Sequence, residues 1–264
     1  MTPASPSDQL VLAVDDGPVR TLTLNRPTRL NAFTSASYRR LAQLLHDAAE
    51  NPAVLVVVLR GQGRAFCSGV DLEELGNEAA QGGQQLGETF DALVKELLGF
   101  GKPLVAAVHG PAVGFGATIL LHCDVVLVAD DARLRFPFTS LSTAPEAGSS
   151  ALLPALVGPQ RAAELFFTSR WIDAAEAVRY GLALSSCPRE QLDTEVSALA
   201  ERIAQQPAAA VASSKRLLRA DRMNMVSAAS RRERAEAGWL SSRFGPPGSA
   251  TPSPEVAGQE VGLL

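Results

Sequence analysis

This 264-residue chain has no excess of basic residues: 24 Lys and Arg stand against 28 Asp and Glu, for a formal net charge of −4 and a pI near 5.5. Neutralising a phosphate backbone needs a positive surface, so the balance argues against nucleic-acid binding, and a polyanionic ligand must meet a local basic cluster. Cysteine is scarce as well. Cys67, Cys123 and Cys187 are odd in number, far apart and in no CxxC pair, which fits reduced thiols in a cytosolic protein and not a disulfide framework. The opening "MTPASPSDQL" lacks a basic head followed by an apolar run, so no signal peptide is expected, and residues 1–8 read as a disordered lead. No repeat of solenoid period is present.

Several functional fingerprints are missing too. The loop "GPAVGFG" has the wrong glycine spacing for GxGxxG, and no GK[ST] follows it, so neither dinucleotide-binding pattern nor P-loop is satisfied. His46 and His109 have no GxSxG partner, which weakens nucleophilic hydrolysis. "HCD" at 122–124 has no second ligand pair and reads as a helix end running into a strand; no metal site is expected. Cys67 has no adjacent base and reads as a packed thiol. The stretch Pro103 to Cys123 carries no Asp, Glu, Lys or Arg, but its two His, two Pro and three Gly divide it into a buried strand, a turn and a helix, so no membrane span is expected.

What is present is alternation. "QLVLAV" and "VRTLTL" read as strands joined at "DDGP". The apolar positions Tyr38, Leu41, Leu44, Leu45 and Ala48 have helical period behind Thr34 and Ser35 as candidate N-caps. "VLVVVLR" suits a strand buried on both faces. A helix around 84–99, the strand "PLVAAVHG", a glycine loop, a short helix and the strand "DVVLVAD" follow. This is α/β logic with right-handed crossovers. Past Pro207 the strand signals give way to helical patterns, and the end of the chain, rich in Pro, Gly and Ser, reads as a flexible tail. The expected division is a core over 1–206, a helical region over 207–244 and a tail over 245–264.

Two features point to chemistry. Consecutive buried strands run into the glycine loops "GQGRAFCSGVD" and "GPAVGFG", whose backbone N–H groups can converge on one acceptor oxygen as an oxyanion hole. Between Phe136 and Gln160, twenty-five residues, Glu146 alone carries a charge. A carboxylate in so apolar a stretch is expected to be partly desolvated, which raises its pKa and fits it for general-base work.

"LNRPTRLNAFT" at 24–34, "GRAFCSGVDLEEL" at 63–75 and "VAAVHGPAVGFGATILLHCDVVLVADDARLRFP" at 105–137 together resemble the three signatures of the enoyl-CoA hydratase/isomerase (crotonase) superfamily, in order and in register, with the likeness covering roughly 10–220. The resemblance implies a spiral of repeated ββα units, a C-terminal helical region that joins subunits, a homotrimer or hexamer, and an acyl-CoA thioester as substrate, with coenzyme A carried by the substrate and no separate cofactor. It places the oxyanion donors at the Val70 and Phe115 amides and coenzyme A contacts at Arg29, Val70, Leu72 and Lys215, with Arg26 structural. The positions matching the two hydratase glutamates hold Thr118 and Phe138. "RLRFPFTSLSTAPEAGSSALLP" resembles the Δ3,Δ2-enoyl-CoA isomerase branch known from peroxisomes, which implies Glu146 as the single base; an atypical hydratase and a non-catalytic acyl-CoA-binding member are the alternatives. The ending "GLL" is no SKL-type address, so a cytoplasmic enzyme is expected.

Overall fold

The computed structural model describes residues 9–248. The lead at 1–8 and positions 249–264 of the expected tail lie outside the described residues. Within them the strands are β1 (Val11–Asp16), β2 (Val19–Leu24), β3 (Val56–Gly61), β4 (Leu104–Val108), β5 (Pro111–Val113), β6 (Val125–Ala129), β7 (Arg133–Arg135), β8 (Trp171–Asp173) and β9 (Ser185–Cys187). The helices are α1 (Ser35–Glu50), α2 (Leu72–Gln81), α3 (Gln85–Gly99), α4 (Phe115–Thr118), α5 (Ser149–Val157), α6 (Pro159–Thr168), α7 (Ala174–Arg179), α8 (Leu192–Ala204), α9 (Ala208–Leu218) and α10 (Arg222–Phe244).

The larger sheet has the order β1-β2-β3-β4-β6-β9, antiparallel at β1–β2 and parallel elsewhere. The smaller sheet has the order β5-β7-β8. Each of β4 and β6 leaves the larger sheet, contributes a short strand to the smaller one and then enters a helix, so the chain winds as ββα turns of a spiral. Isolated bridges from Cys67 to Ala112 and from Phe33 to Val70 bring the earlier turns into the same second layer.

Local chemistry accounts for these elements. Gly17, at φ +54°, turns the β1–β2 hairpin, a conformation that costs glycine little. A capping box opens α1: the Thr34 hydroxyl accepts from the Ser37 amide at 3.3 Å, and the Ser37 hydroxyl accepts from the Thr34 amide at 2.7 Å, relieving two orphan donors. Strand β3 is buried on both faces as its β-branched run implies. Val57 and Leu59 join the core beneath α1 and α3, while Val56 and Val58 pack with Leu192, Val196 and Ala200 of α8. The uncharged run 103–123 resolves into β4, β5, α4 and a 3₁₀ turn over Ile119–His122. Among the described residues no helix is long and apolar enough to cross a membrane.

Between β4 and α4 the second glycine loop lies directly against the first. The Val113 amide donates to the Cys67 carbonyl at 2.9 Å. A Cβ on Gly116 would stand 2.3 Å from that same carbonyl oxygen, and one on Gly69, at φ +94°, 2.9 Å from the Val113 oxygen. Backbone cannot yield there, so Gly116→Ala is expected to lower the unfolding free energy by roughly 2 kcal/mol or more. Gly76, exposed in α2 with open space around it, is the control: Gly76→Ala is expected to stabilise by about 0.5–1 kcal/mol. Urea titrations of both variants check the contrast.

Candidate active site

Among the described residues, the close approach of the glycine loops leaves two amides without a backbone acceptor. The Phe33 amide donates to the Gly69 carbonyl at 2.7 Å, and the Asp71 amide donates to the Phe33 carbonyl at 2.8 Å. This parallel bridge uses the groups on either side of Val70 and turns the Val70 N–H to the opposite edge. Asp71 is further tied by Arg26, whose Nη2 donates to Oδ2 at 2.9 Å, and it caps α2 through the amides of Glu73 and Glu74. The second amide belongs to Phe115, the first residue of α4, where a helix leaves its leading N–H groups unpaired. Its ring is fully buried among Phe33, Tyr38 and Phe90, at centroid separations of 5.1–5.3 Å. Edge-to-face packing of that kind fixes the helix start in place.

Val70, Phe115 and Glu146 line one cavity of about 1290 Å³, with Tyr38, Phe90 and Phe138 on its mostly apolar wall. Glu146 is half-buried, and its carboxylate has no hydrogen bond or ion pair among the described residues. The other carboxylates on the wall are engaged or peripheral. Glu78 accepts from the Leu86 amide, Asp91 pairs with Arg234, Glu96 lies 4.0 Å from His46, Glu50 is exposed at the end of α1, and Glu233 accepts from the Gly148 and Ser150 amides. Burial, followed by the negative charge of Glu233, pushes the Glu146 carboxyl up from an ordinary 4.5 to about 7. Such a group exists in both protonation states near neutrality, the condition under which a carboxylate can take a proton and give it back.

The turn that carries Glu146 is clamped from two sides. Ala147 sits at φ +57°, left-handed for a residue with a Cβ, and this costs energy unless its neighbours impose it. His122 donates from Nε2 to the Ala147 carbonyl at 2.8 Å. Burial, with the nearby Arg222 guanidinium, lowers the His122 pKa to about 3, so the ring is neutral. On the other side Glu233 of α10 accepts from the Gly148 amide through Oε2 and from the Ser150 amide through Oε1, both at 2.8 Å. The dipole of α5 is therefore answered by Glu233, and Glu146 is left free to face the cavity.

Of the sequence-predicted residues, the cavity brings together Glu146, Val70, Phe115 and Leu72, the exposed first residue of α2. Arg29 lies outside it, exposed and paired with Glu73 at 3.0 Å. Lys215 is also outside: it is buried, with Nζ 2.7 Å from Asp124 Oδ2 and 2.5 Å from the Lys102 carbonyl. Arg219 completes this group at 2.8 Å from Asp124 Oδ1, so Lys215 ties α9 to the core. Thr118 is wholly buried and off the cavity wall, whereas Phe138 is on it. Cys67 is a buried thiol, pushed up to about 12 by burial. Among the described residues no group of three or more His, Cys, Asp and Glu is placed to hold a metal. Sequence reading missed His122 and Glu233. The lone "HCD" and the acid within "SRRERAEAG" carry no local signal, because their partners lie 25 and 83–85 residues away.

The sequence profile of the enoyl-CoA hydratase/isomerase family matches residues 16–240. The mouse protein enoyl-CoA delta isomerase 3, peroxisomal, is 36% identical over 197 residues, which is 73% of this chain and 61% of the mouse protein; the chain thus spans about three fifths of that relative's length. The crystal structure of an enoyl-CoA hydratase/isomerase from Pseudoalteromonas atlantica superposes with a TM-score of 0.83 at 34% identity, covering 88% of this chain and 92% of that one. An enoyl-CoA hydratase from Mycobacterium marinum is 47% identical with a TM-score of 0.75, covering 79% and 98%.

Desolvation of Glu146 has a consequence for stability. Because its folded pKa is raised from 4.5 to about 7, the folded state carries no penalty at acid pH, and stability is lost as pH rises across that interval. Glu146→Gln stays neutral throughout. It is expected to match wild type near pH 4 and to exceed it near pH 8 by about 1–3 kcal/mol after allowance for partial exposure. Thermal melts at the two pH values check this.

Proposed function

The chain belongs to the enoyl-CoA hydratase/isomerase family, and from that premise we propose that it isomerises a 3-enoyl-CoA thioester to the 2-enoyl isomer, with Glu146 as its one base. The observation that carries this reading is the half-buried, unpartnered Glu146 on the same cavity wall as the free Val70 and Phe115 amides. In the proposed reaction the two N–H groups hold the thioester carbonyl oxygen, which becomes an enolate oxygen when Glu146 removes a proton from C2. Donors already in place need no reorganisation as charge develops. The electrons shift along the conjugated system, and protonated Glu146 returns the proton at C4. One carboxyl near pKa 7 suffices for both halves, and the neighbouring phenyl rings keep water from the intermediate.

Hydration of a 2-enoyl thioester is the second reading, favoured by the hydratase relative at 47% identity. It needs a water held and deprotonated beside a second acid. The positions that resemblance assigns to such carboxylates hold Thr118 and Phe138, and the remaining wall carboxylates are engaged or peripheral. A non-catalytic acyl-CoA-binding role is the third. Contact of Arg29 and Leu72 with coenzyme A, a cytoplasmic location, and trimeric or hexameric assembly through surfaces such as the exposed Phe167, Leu217 and Leu218 belong to the same proposal.

The test is spectrophotometric: purified protein is mixed with 3-enoyl-CoA of short and long chain, and the conjugated thioester is followed. Wild type is expected to turn over, and Glu146→Gln to lose on the order of 10²–10⁴ in rate. Equal rates refute the base assignment. Formation of 3-hydroxyacyl-CoA from 2-enoyl-CoA at a higher rate than isomerisation favours hydration, and tight binding without turnover favours a carrier.

A further inference from the structure

The best-defined polar arrangement not used in the proposed reaction adjoins Glu146, on the turn at Gly148 and Ser150. We propose that Glu233, on α10, is a positioning residue for Glu146: its carboxylate holds the turn that aims the base and places a second negative charge beside it.

Glu233 is 6% exposed, although it sits in one of the most charged segments of the chain, between Arg232 and Arg234. A glutamate is buried this far only where its oxygens are satisfied. Here both are, by backbone N–H groups at 2.8 Å from positions 148 and 150. Two amide donors to two oxygens is the arrangement of an ionised carboxylate, and such charge-assisted bonds are the strong kind. They bracket the start of α5, with Glu146 two residues before the first of them. Val226, one further α10 residue, packs on Gly148 so closely that a Cβ there would lie 2.5 Å from its Cγ1. The far C-terminal helix thus reaches the site twice, by an anion and by a methyl.

Beside burial, the charge of Glu233 raises the Glu146 pKa, and Arg231 and Arg234 of the same helix line the same cavity. The titratable groups coupled to Glu146 are Tyr38 on α1, Cys67 on the first glycine loop and Glu233 on α10; His122 lies behind Ala147, flanked by Arg219 and Arg222. Burial keeps the Tyr38 hydroxyl and the Cys67 thiol protonated and the His122 ring neutral at neutral pH. Asp91 and Arg234, also on the cavity wall, neutralise each other at 2.5 Å. Burial and the nearby charge of Glu233 act on Glu146 in the same direction, so its carboxyl holds its proton longer.

Infrared difference titration, wild type minus Glu146→Gln, reads the Glu146 carboxyl directly and does not depend on which reaction the protein performs. The wild-type midpoint is expected near 7. Glu233→Gln keeps the shape, removes the charge and replaces one acceptor by a donor, and is expected to lower that midpoint by on the order of one pH unit. An unchanged midpoint in a folded Glu233→Gln protein overturns the proposal, because a residue of merely structural importance would alter stability and leave the titration in place. Should that variant fail to fold, Glu233→Asp replaces it. It retains the charge but withdraws it by one methylene, so a smaller downward shift is expected, together with a ten- to hundredfold fall in kcat at unchanged KM as the base loses its aim. Wild-type values for both overturn the proposal. The kcat arm rests on the isomerase reading: absence of turnover in wild type strikes that reading, while the infrared arm still decides the role of Glu233.

Discussion

The site depends on one backbone-to-backbone contact, the seating of the loop at 110–116 against the loop at 65–70. The Val113 amide bonds the Cys67 carbonyl, the Cys67 segment pairs with Ala112, and Gly116 approaches so closely that no side chain fits. Two consequences follow from the pairing. Phe33 occupies the groups flanking Val70, which leaves the Val70 amide turned out, and α4 begins at the same place, which leaves the Phe115 amide without a partner among the described residues. Two donors are thereby fixed before any ligand arrives, and preorganised donors are what a developing oxyanion requires.

Glu146 is held by the opposite strategy. The Val70 and Phe115 amides arise from the regular ladder of the spiral, whereas Glu146 sits on a turn with Ala147 in a left-handed conformation. That conformation and the desolvated carboxyl are both unfavourable in isolation. The hydrogen bond from His122 to the carbonyl of the Ala147–Gly148 peptide group and the bond from the N–H of that same group to Glu233 offset this cost and impose the turn. A site that stores such strain is where stability and activity pull apart, since the group best suited to move a proton is also the group the fold would prefer uncharged.

The C-terminal helices are part of this arrangement. α9 is anchored to the core by the Lys215–Asp124–Arg219 group, and α10 lies across the start of α5. Lys215 shows why type and position in a sequence are a weak guide to ligand contacts: a lysine in a basic helix is by default solvated, but this one is buried over the Phe100 ring and fully engaged. Arg29, by contrast, pairs with Glu73 at the surface, where both side chains stay exposed.

Much of the fold was legible because the period of apolar residues is a local property. The β1–β2 hairpin, the capped helix behind Thr34, the doubly buried β3 and the division of 103–123 were all readable in that way. The three-residue strands β5, β7, β8 and β9 were not, β5 having read as part of a glycine loop, since three residues show no period and their pairings are made by distant chain. In the site, the isolation of Glu146 in an uncharged window and the two glycine loops pointed to a base and to converging amides. By itself, then, the sequence determined the alternation of strand and helix, the places where only glycine fits and the one carboxylate set among apolar residues. Only the tertiary structure decided that the Glu146 carboxylate has no partner among the described residues while the neighbouring carboxylates are engaged or peripheral, that Lys215 is buried, and that His122 and Glu233 hold the turn that carries Glu146. Each of those is a contact between segments far apart in the chain, and nothing local in the sequence specifies a partner across such a distance.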